Sequence, residues 1–205
     1  MTTKVESTKE NLAIAYESLM RQYFHLVRMV LGETVKQGNN WMITSSAERM
    51  DWNEYANKTA WSDFQLILPV FFSLYHGLEL SMKALLVIND HKVTGHKLSE
   101  IYSEVRKIDD IPEQISSLLS KYVEFGARSG ILAEFTDTNN CSVDDYYDFL
   151  KYPTDKSYEA INNYWPVKYK QENALNSFKE IIDDLLKLSQ EVQTYIKGKL
   201  PKNYL

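Results

Sequence analysis

Three side chains in the middle of the chain, His76, Glu79 and Lys83, stand at i, i+3 and i+7. On a helix they project from one side as a polar strip. Together they can do chemistry: an imidazole transfers protons near neutral pH, a carboxylate orients it, and an ammonium stabilises phosphate charge. A blander role is open to them too, a Glu79–Lys83 pair at i, i+4 beside a partly exposed histidine, worth a few tenths of about 1 kcal/mol. Farther on, His96 follows Gly95 at the predicted opening of a helix, where unpaired backbone N–H groups attract anions and an imidazole can bind or transfer a proton. Its structural alternative is an anchor for the helix start.

Other chemistries find no support. There is no HExxH and no paired CxxC, and His25, His76, His91 and His96 lack a spacing that puts two ligands on one helical turn, so no metal site is expected. Neither a GxGxxG nor a GxxxxGK[ST] cradle occurs, and no cofactor is expected. Cys141 lies in an acidic stretch that opposes thiolate formation. A net charge of −5 and a pI near 5.4 disfavour duplex DNA as a partner. Met1 to Glu10 has neither the apolar core of a secretory signal nor the Arg-rich character of a transit peptide, which makes a cytoplasmic protein the expectation.

The elements that must hold these residues are helical. Gly and Pro make only 12 of 205 residues, so turns are few and elements long. An all-α, up-and-down bundle of four or five main helices is expected, in one domain spanning 1–205. Leu12, Tyr16, Leu19, Tyr23, Leu26 and Val30 recur at helical steps and predict the packed stripe of a first helix. Ser7 and Glu10 have capping-box spacing at its start, and Gly32 and Gly38 bracket its end. Trp41 to Lys58 reads as irregular with some helix. The most apolar stretch carries Phe64, Ile67, Phe71, Leu74, Leu78, Met82 and Leu85 on one stripe and predicts the central helix, with Ser62 and Gln65 as a capping box and Pro69 as a kink or true start. Leu66 to Ile88 is long enough to cross a bilayer, but His76, Glu79 and Lys83 inside it favour a buried bundle helix, and no membrane is expected.

Leu98, Ile101, Val105 and Ile108 predict a short helix. Asp110 and Glu113 around Pro112 cap another, with Ile115, Leu118, Tyr122 and Phe125 as its stripe. From 126 to 169 the periodicity fails, and this stretch reads as an irregular insert. It is acidic, with seven acidic and two basic residues from Glu134 to Glu159, and aromatic, with Tyr146, Tyr147, Phe149, Tyr152, Tyr158, Tyr164, Trp165 and Tyr169. Such aromatics can stack bases, although local core is their commoner use. The last helix carries Leu175, Phe178, Ile182, Leu185, Leu188, Val192 and Ile196 and ends at Gly198 and Pro201.

Gly77-Leu78-Glu79-Leu80-Ser81-Met82-Lys83-Ala84-Leu85-Leu86, then Gly95-His96-Lys97-Leu98, then Leu150-Lys151-Tyr152-Pro153, in this order and helical setting, resembles the HEPN-like superfamily of prokaryotic defence and toxin systems. The resemblance implies a helical bundle that pairs into a homodimer, with Glu79, Lys83, His96, Lys151 and Tyr152 as binding positions. Active HEPN ribonucleases carry an Arg followed after four to six residues by a His. Here Arg21 and His25 are separated by only three residues, and Arg28, Arg49, Arg106 and Arg128 have no histidine at the required distance. Lys151 also stands where an arginine is frequent, without its planar bidentate reach.

The reading that follows is a non-catalytic protein acting by dimerisation and by association with a partner, a nucleotide or RNA. A nucleotidyltransferase or a toxin–antitoxin partner is the expected companion. A divergent metal-independent ribonuclease using His76 or His96 with Lys83 is the alternative, and it needs those side chains at one cleft. A structural or regulatory interaction module is a third, marked by an exposed apolar stripe on the first or last helix.

Overall fold

In a computed structural model the chain is described over residues 8–41, 51–93, 95–124, 130–154, 159 and 161–202. The described residues form an all-α bundle, with a single isolated bridge between Thr154 and Ile161 as their extended pairing. The elements are α1 (Lys9–Lys36), α2 (Trp52–Thr59), α3 (Asp63–Ile88), α4 (Leu98–Val105), α5 (Glu113–Val123), α6 (Gly130–Asn139), α7 (Val143–Phe149) and, after a 3-10 turn at Gln171–Ala174, α8 (Leu175–Lys199). Residues 42–50 of the stretch read as irregular, and Ser7, Phe125 and Tyr158, lie outside the described residues.

α3 is the central helix, as its composition demands: from Val70 to Ile88 all but Phe72 and His76 are buried. The window that would suit a bilayer is 89% buried inside the bundle, so α1, α4 and α8 take the place of lipid around it. The helix continues through Pro69. Ser62 takes the N-cap position, but the expected capping box does not form, and Ser62 Oγ is buried with no partner among the described residues. Asn39 supplies the cap from a distance, its Oδ1 accepting the Asp63 N–H at 2.6 Å. Asp63 returns the contact, accepting from Asn39 Nδ2 at 2.8 Å and from the backbone N–H groups of Tyr169 (2.9 Å) and Lys170 (2.8 Å). This buried junction ties the end of α1, the start of α3 and the approach to α8.

α1 turns a different face to the core from the one its periodicity suggests. Ala13, Glu17, Met20, Phe24, Val27, Leu31 and Thr34 are buried. Of the expected stripe, Leu12, Leu19 and Leu26 are 39%, 45% and 49% exposed, joined by Met29 at 61%, while Tyr16, Tyr23 and Val30 are only partly covered. The choice of face follows from the close approach of α1 to α3, where the Phe24 ring fills the space a side chain at Gly77 would need. The N-cap of α1 is Thr8, which accepts from the Asn11 N–H, and Gly32 lies within the helix.

Asp110 does not cap α5. It accepts from Tyr195 at 2.8 Å and pairs with Lys199, and Pro112 is the N-cap residue. The stretch read as irregular holds α6 and α7, the latter opened by a capping box between Ser142 and Asp145. At ten and seven residues they are too short to display a helical repeat clearly. Its aromatic residues divide: Tyr146 and Tyr147 are buried, Phe149, Tyr164 and Tyr169 are half-buried, and Tyr152 and Trp165 are exposed. Cys141 is buried.

Candidate functional site

The polar strip of α3 closes on Glu79. This carboxylate is only 2% exposed, and side chains from three elements converge on it. Lys83 Nζ, itself buried, donates to Oε1 at 2.6 Å from the next turn of α3. His96 Nδ1, just before α4, lies 2.8 Å from the same oxygen, and His76 Nδ1 is 3.7 Å from Oε2. His76 Nδ1 also meets the Tyr147 hydroxyl of α7 at 2.9 Å. The three candidate groups that the ribonuclease alternative requires at one place are thus gathered on one carboxylate.

Burial alone would raise the pKa of Glu79, but hydrogen bonds from His76, Lys83 and His96, with the nearby Lys83 charge, override it and hold the carboxyl at about 2. Glu79 therefore stays ionised at any physiological pH. Burial and the Glu79 charge push the Tyr147 hydroxyl well above its ordinary range, which keeps it a neutral donor.

Aromatic rings shape the rim of the cluster. Tyr23 of α1 meets His76 edge-on at 4.6 Å, and Phe72 stacks on both His76 (6.0 Å) and Tyr147 (5.7 Å). Lys151 joins through Tyr147, its Nζ standing 3.8 Å from the ring centroid and 3.2 Å from Asp148. Tyr152 does not join by any described side-chain contact. Its ring is exposed, and its carbonyl accepts from Asn162 and Tyr164. Tyr147, Tyr23 and Phe72 belong to the site although their spacing in the sequence does not point to it; α7, which brings Tyr147 across 71 positions to His76, leaves no local signal of that contact.

These placements decide what the site can do. Lys83 is buried and held by Glu79, so it neutralises that carboxylate rather than meeting a ligand. The pair is therefore a buried ion pair and not the weak exposed support its spacing allows. His76 is fixed by Tyr147 and packed between rings. His96 is the open group: its side chain is 80% exposed and Glu79 takes Nδ1, which leaves Nε2 without a partner among the described residues. A carboxylate on Nδ1 fixes the orientation and tautomer of the ring. Among the described residues no cluster of His, Cys, Asp or Glu is arranged to hold a metal ion.

Searches against family models, curated proteins and solved structures return no match for this chain.

Proposed function

We propose that the chain is a non-catalytic HEPN-like protein that works by association, as a homodimer paired with a nucleotidyltransferase or toxin–antitoxin partner in the cytoplasm, with a nucleotide or RNA as its ligand. The apolar stripe of α1 supports the association in this reading, a feature it shares with a structural or regulatory interaction module. Leu12, Leu19 and Leu26 repeat at seven-residue steps and stay exposed, the spacing of a helix seam that packs on another helix. From Leu12 to Met29 the stripe runs about 25 Å along the helix axis, and its flank at Tyr23 touches the Glu79 cluster through His76. A second copy laid on this stripe would cover both the leucines and the rim of the cluster.

Static light scattering on the purified full chain tests it. The expected mass is twice that of the monomer, reduced to the monomer by Leu19→Glu with Leu26→Glu while the far-ultraviolet circular dichroism is retained. A monomeric wild type, or a dimer indifferent to the double substitution, contradicts the reading.

The Glu79–His96 contact supports a second reading, a metal-independent ribonuclease in which His96 is the general base. RNA cleavage by the purified protein, lost in His96→Ala without loss of fold, would put this reading in place of the first.

A further inference from the structure

A groove of about 440 Å³ lies where α1 packs on α8, lined by Ser18, Arg21, Gln22, His25, Arg28 and Ser189. Arg21, His25 and Arg28 stand at i, i+4 and i+7, which sets them in one row on the flank of α1 roughly opposite Tyr23 and so away from the Glu79 cluster. No carboxylate is among the lining residues, in a chain whose net charge is −5. The buried Glu17 pairs with Arg21 Nε at 2.6 Å, so one carboxylate stands against two guanidinium groups. Arg28 has no ion pair or hydrogen bond with any described residue, and its Nε is buried without an acceptor. That Nε is covered by protein, so the terminal nitrogens of the guanidinium are what Arg28 offers the groove.

The chemistry of the lining selects the ligand. Two planar guanidinium forks, an imidazole and hydroxyl and amide donors suit phosphate oxygens, which accept bidentate contacts from arginine. The row from Arg21 to Arg28 covers about 10 Å of helix axis, enough for more than one phosphate. The volume suits a small molecule of nucleotide size.

We infer that this groove binds the phosphates of a nucleotide-sized ligand through Arg21, His25 and Arg28. The inference rests on the reading that the chain takes a nucleotide or RNA, and it places the phosphate contacts on α1 and α8 rather than at His96. The same chemistry is offered by a free nucleotide and by the terminal phosphates of an RNA strand.

Titration calorimetry on the full chain, with ADP, with inorganic tripolyphosphate and with a 5′-phosphorylated ten-nucleotide oligouridine, tests it. Binding of at least one probe is expected, weakened about tenfold or more in Arg28→Gln, as befits loss of a charge-assisted hydrogen bond. Arg28→Lys retains the charge without the fork and should fall between. Because Arg28 has no described partner, neither variant should lower the melting temperature. Binding of ADP and tripolyphosphate but not the RNA identifies a free nucleotide, and binding of the RNA alone identifies a strand end; both support the groove. Binding that survives Arg28→Gln but is lost in His96→Ala overturns the groove while leaving the ligand class intact. No binding of any probe overturns both.

Discussion

Replacing Glu79 by Gln tests how much the central network holds. Gln is nearly isosteric with a protonated carboxyl, so the cost of the substitution approximates the cost of neutralising Glu79 in place. The carboxyl is held at about 2 against an ordinary 4.5, and by linkage that difference is worth about 3 kcal/mol. Stranding one member of a buried pair costs about 3–5 kcal/mol by a separate argument, since Lys83 is left with an uncompensated charge. The two agree on roughly 3 kcal/mol, which lowers the melting temperature of a chain this size by about 6–12 °C.

Circular dichroism melts and urea titrations at a series of pH values measure it. A folded pKa below the unfolded one gives stabilisation that is full above the unfolded value and is lost as pH falls through the folded value. The gap between wild type and Glu79→Gln should thus be complete at pH 7, shrink to under half at pH 3, and vanish below about pH 2. Adding Lys83→Met should recover about half or more of the loss, because it removes the ammonium that Glu79→Gln leaves uncompensated. A Glu79→Gln loss under about 1 kcal/mol, or a gap that does not narrow with acid, would refute the view that this carboxylate is stabilised by its charge partners.

Gly77→Ala puts a methyl about 2.5 Å from the buried Phe24 ring; displacing that ring costs about 1–3 kcal/mol against about 1 kcal/mol gained from helix propensity, a net loss visible in thermal melts. Asp63→Ala leaves the Tyr169 and Lys170 N–H groups without their acceptor, for an expected loss of about 3 kcal/mol or more in urea titration. It should also change the near-ultraviolet circular dichroism of Trp41 and Trp165, whose rings pack on Tyr169.

What the sequence made legible depends on range. The long elements α1, α3 and α8 follow from periodicity and scarce Gly and Pro, since a helix of more than twenty residues repeats its pattern many times. The face of α1 was not legible, because this helix has two apolar stripes and periodicity alone cannot rank them. The fit of Phe24 into the space at Gly77 selects one and leaves the leucines outside. The strip His76–Glu79–Lys83 was visible because it lies within two turns of one helix. The approach of His96 and Tyr147 to it was not, because those contacts span 17 and 71 positions and depend on how α4 and α7 pack. The Asp63–Asn39 junction was hidden for the same reason: where Ser62 and Gln65 have the spacing of a local capping box, a side chain 24 positions away does the capping.

Burying an ionised carboxylate is costly, and a neutral residue would pack beneath α4 without the need for three donors. What the arrangement adds is specificity: Glu79 is satisfied when His96 comes down from the start of α4 and Tyr147 from α7 bears on His76. Any other packing of those elements leaves Glu79 its Lys83 pair but takes away the His96 contact that completes it. The same demand works against cleavage. A phosphoryl-transfer site needs a second group free to meet the developing charge, and Lys83 is already committed to Glu79, leaving His96 Nε2 as the open end of the network. Because Tyr23 sits both on His76 and at the edge of the exposed α1 leucines, a chain docking on those leucines presses on the ring that frames His76. The proposed association at α1 would therefore act on the environment of the Glu79 cluster, and leucine substitutions that abolish such pairing should also shift the His76 imidazole resonances while leaving those of His25, on the other flank of α1, in place.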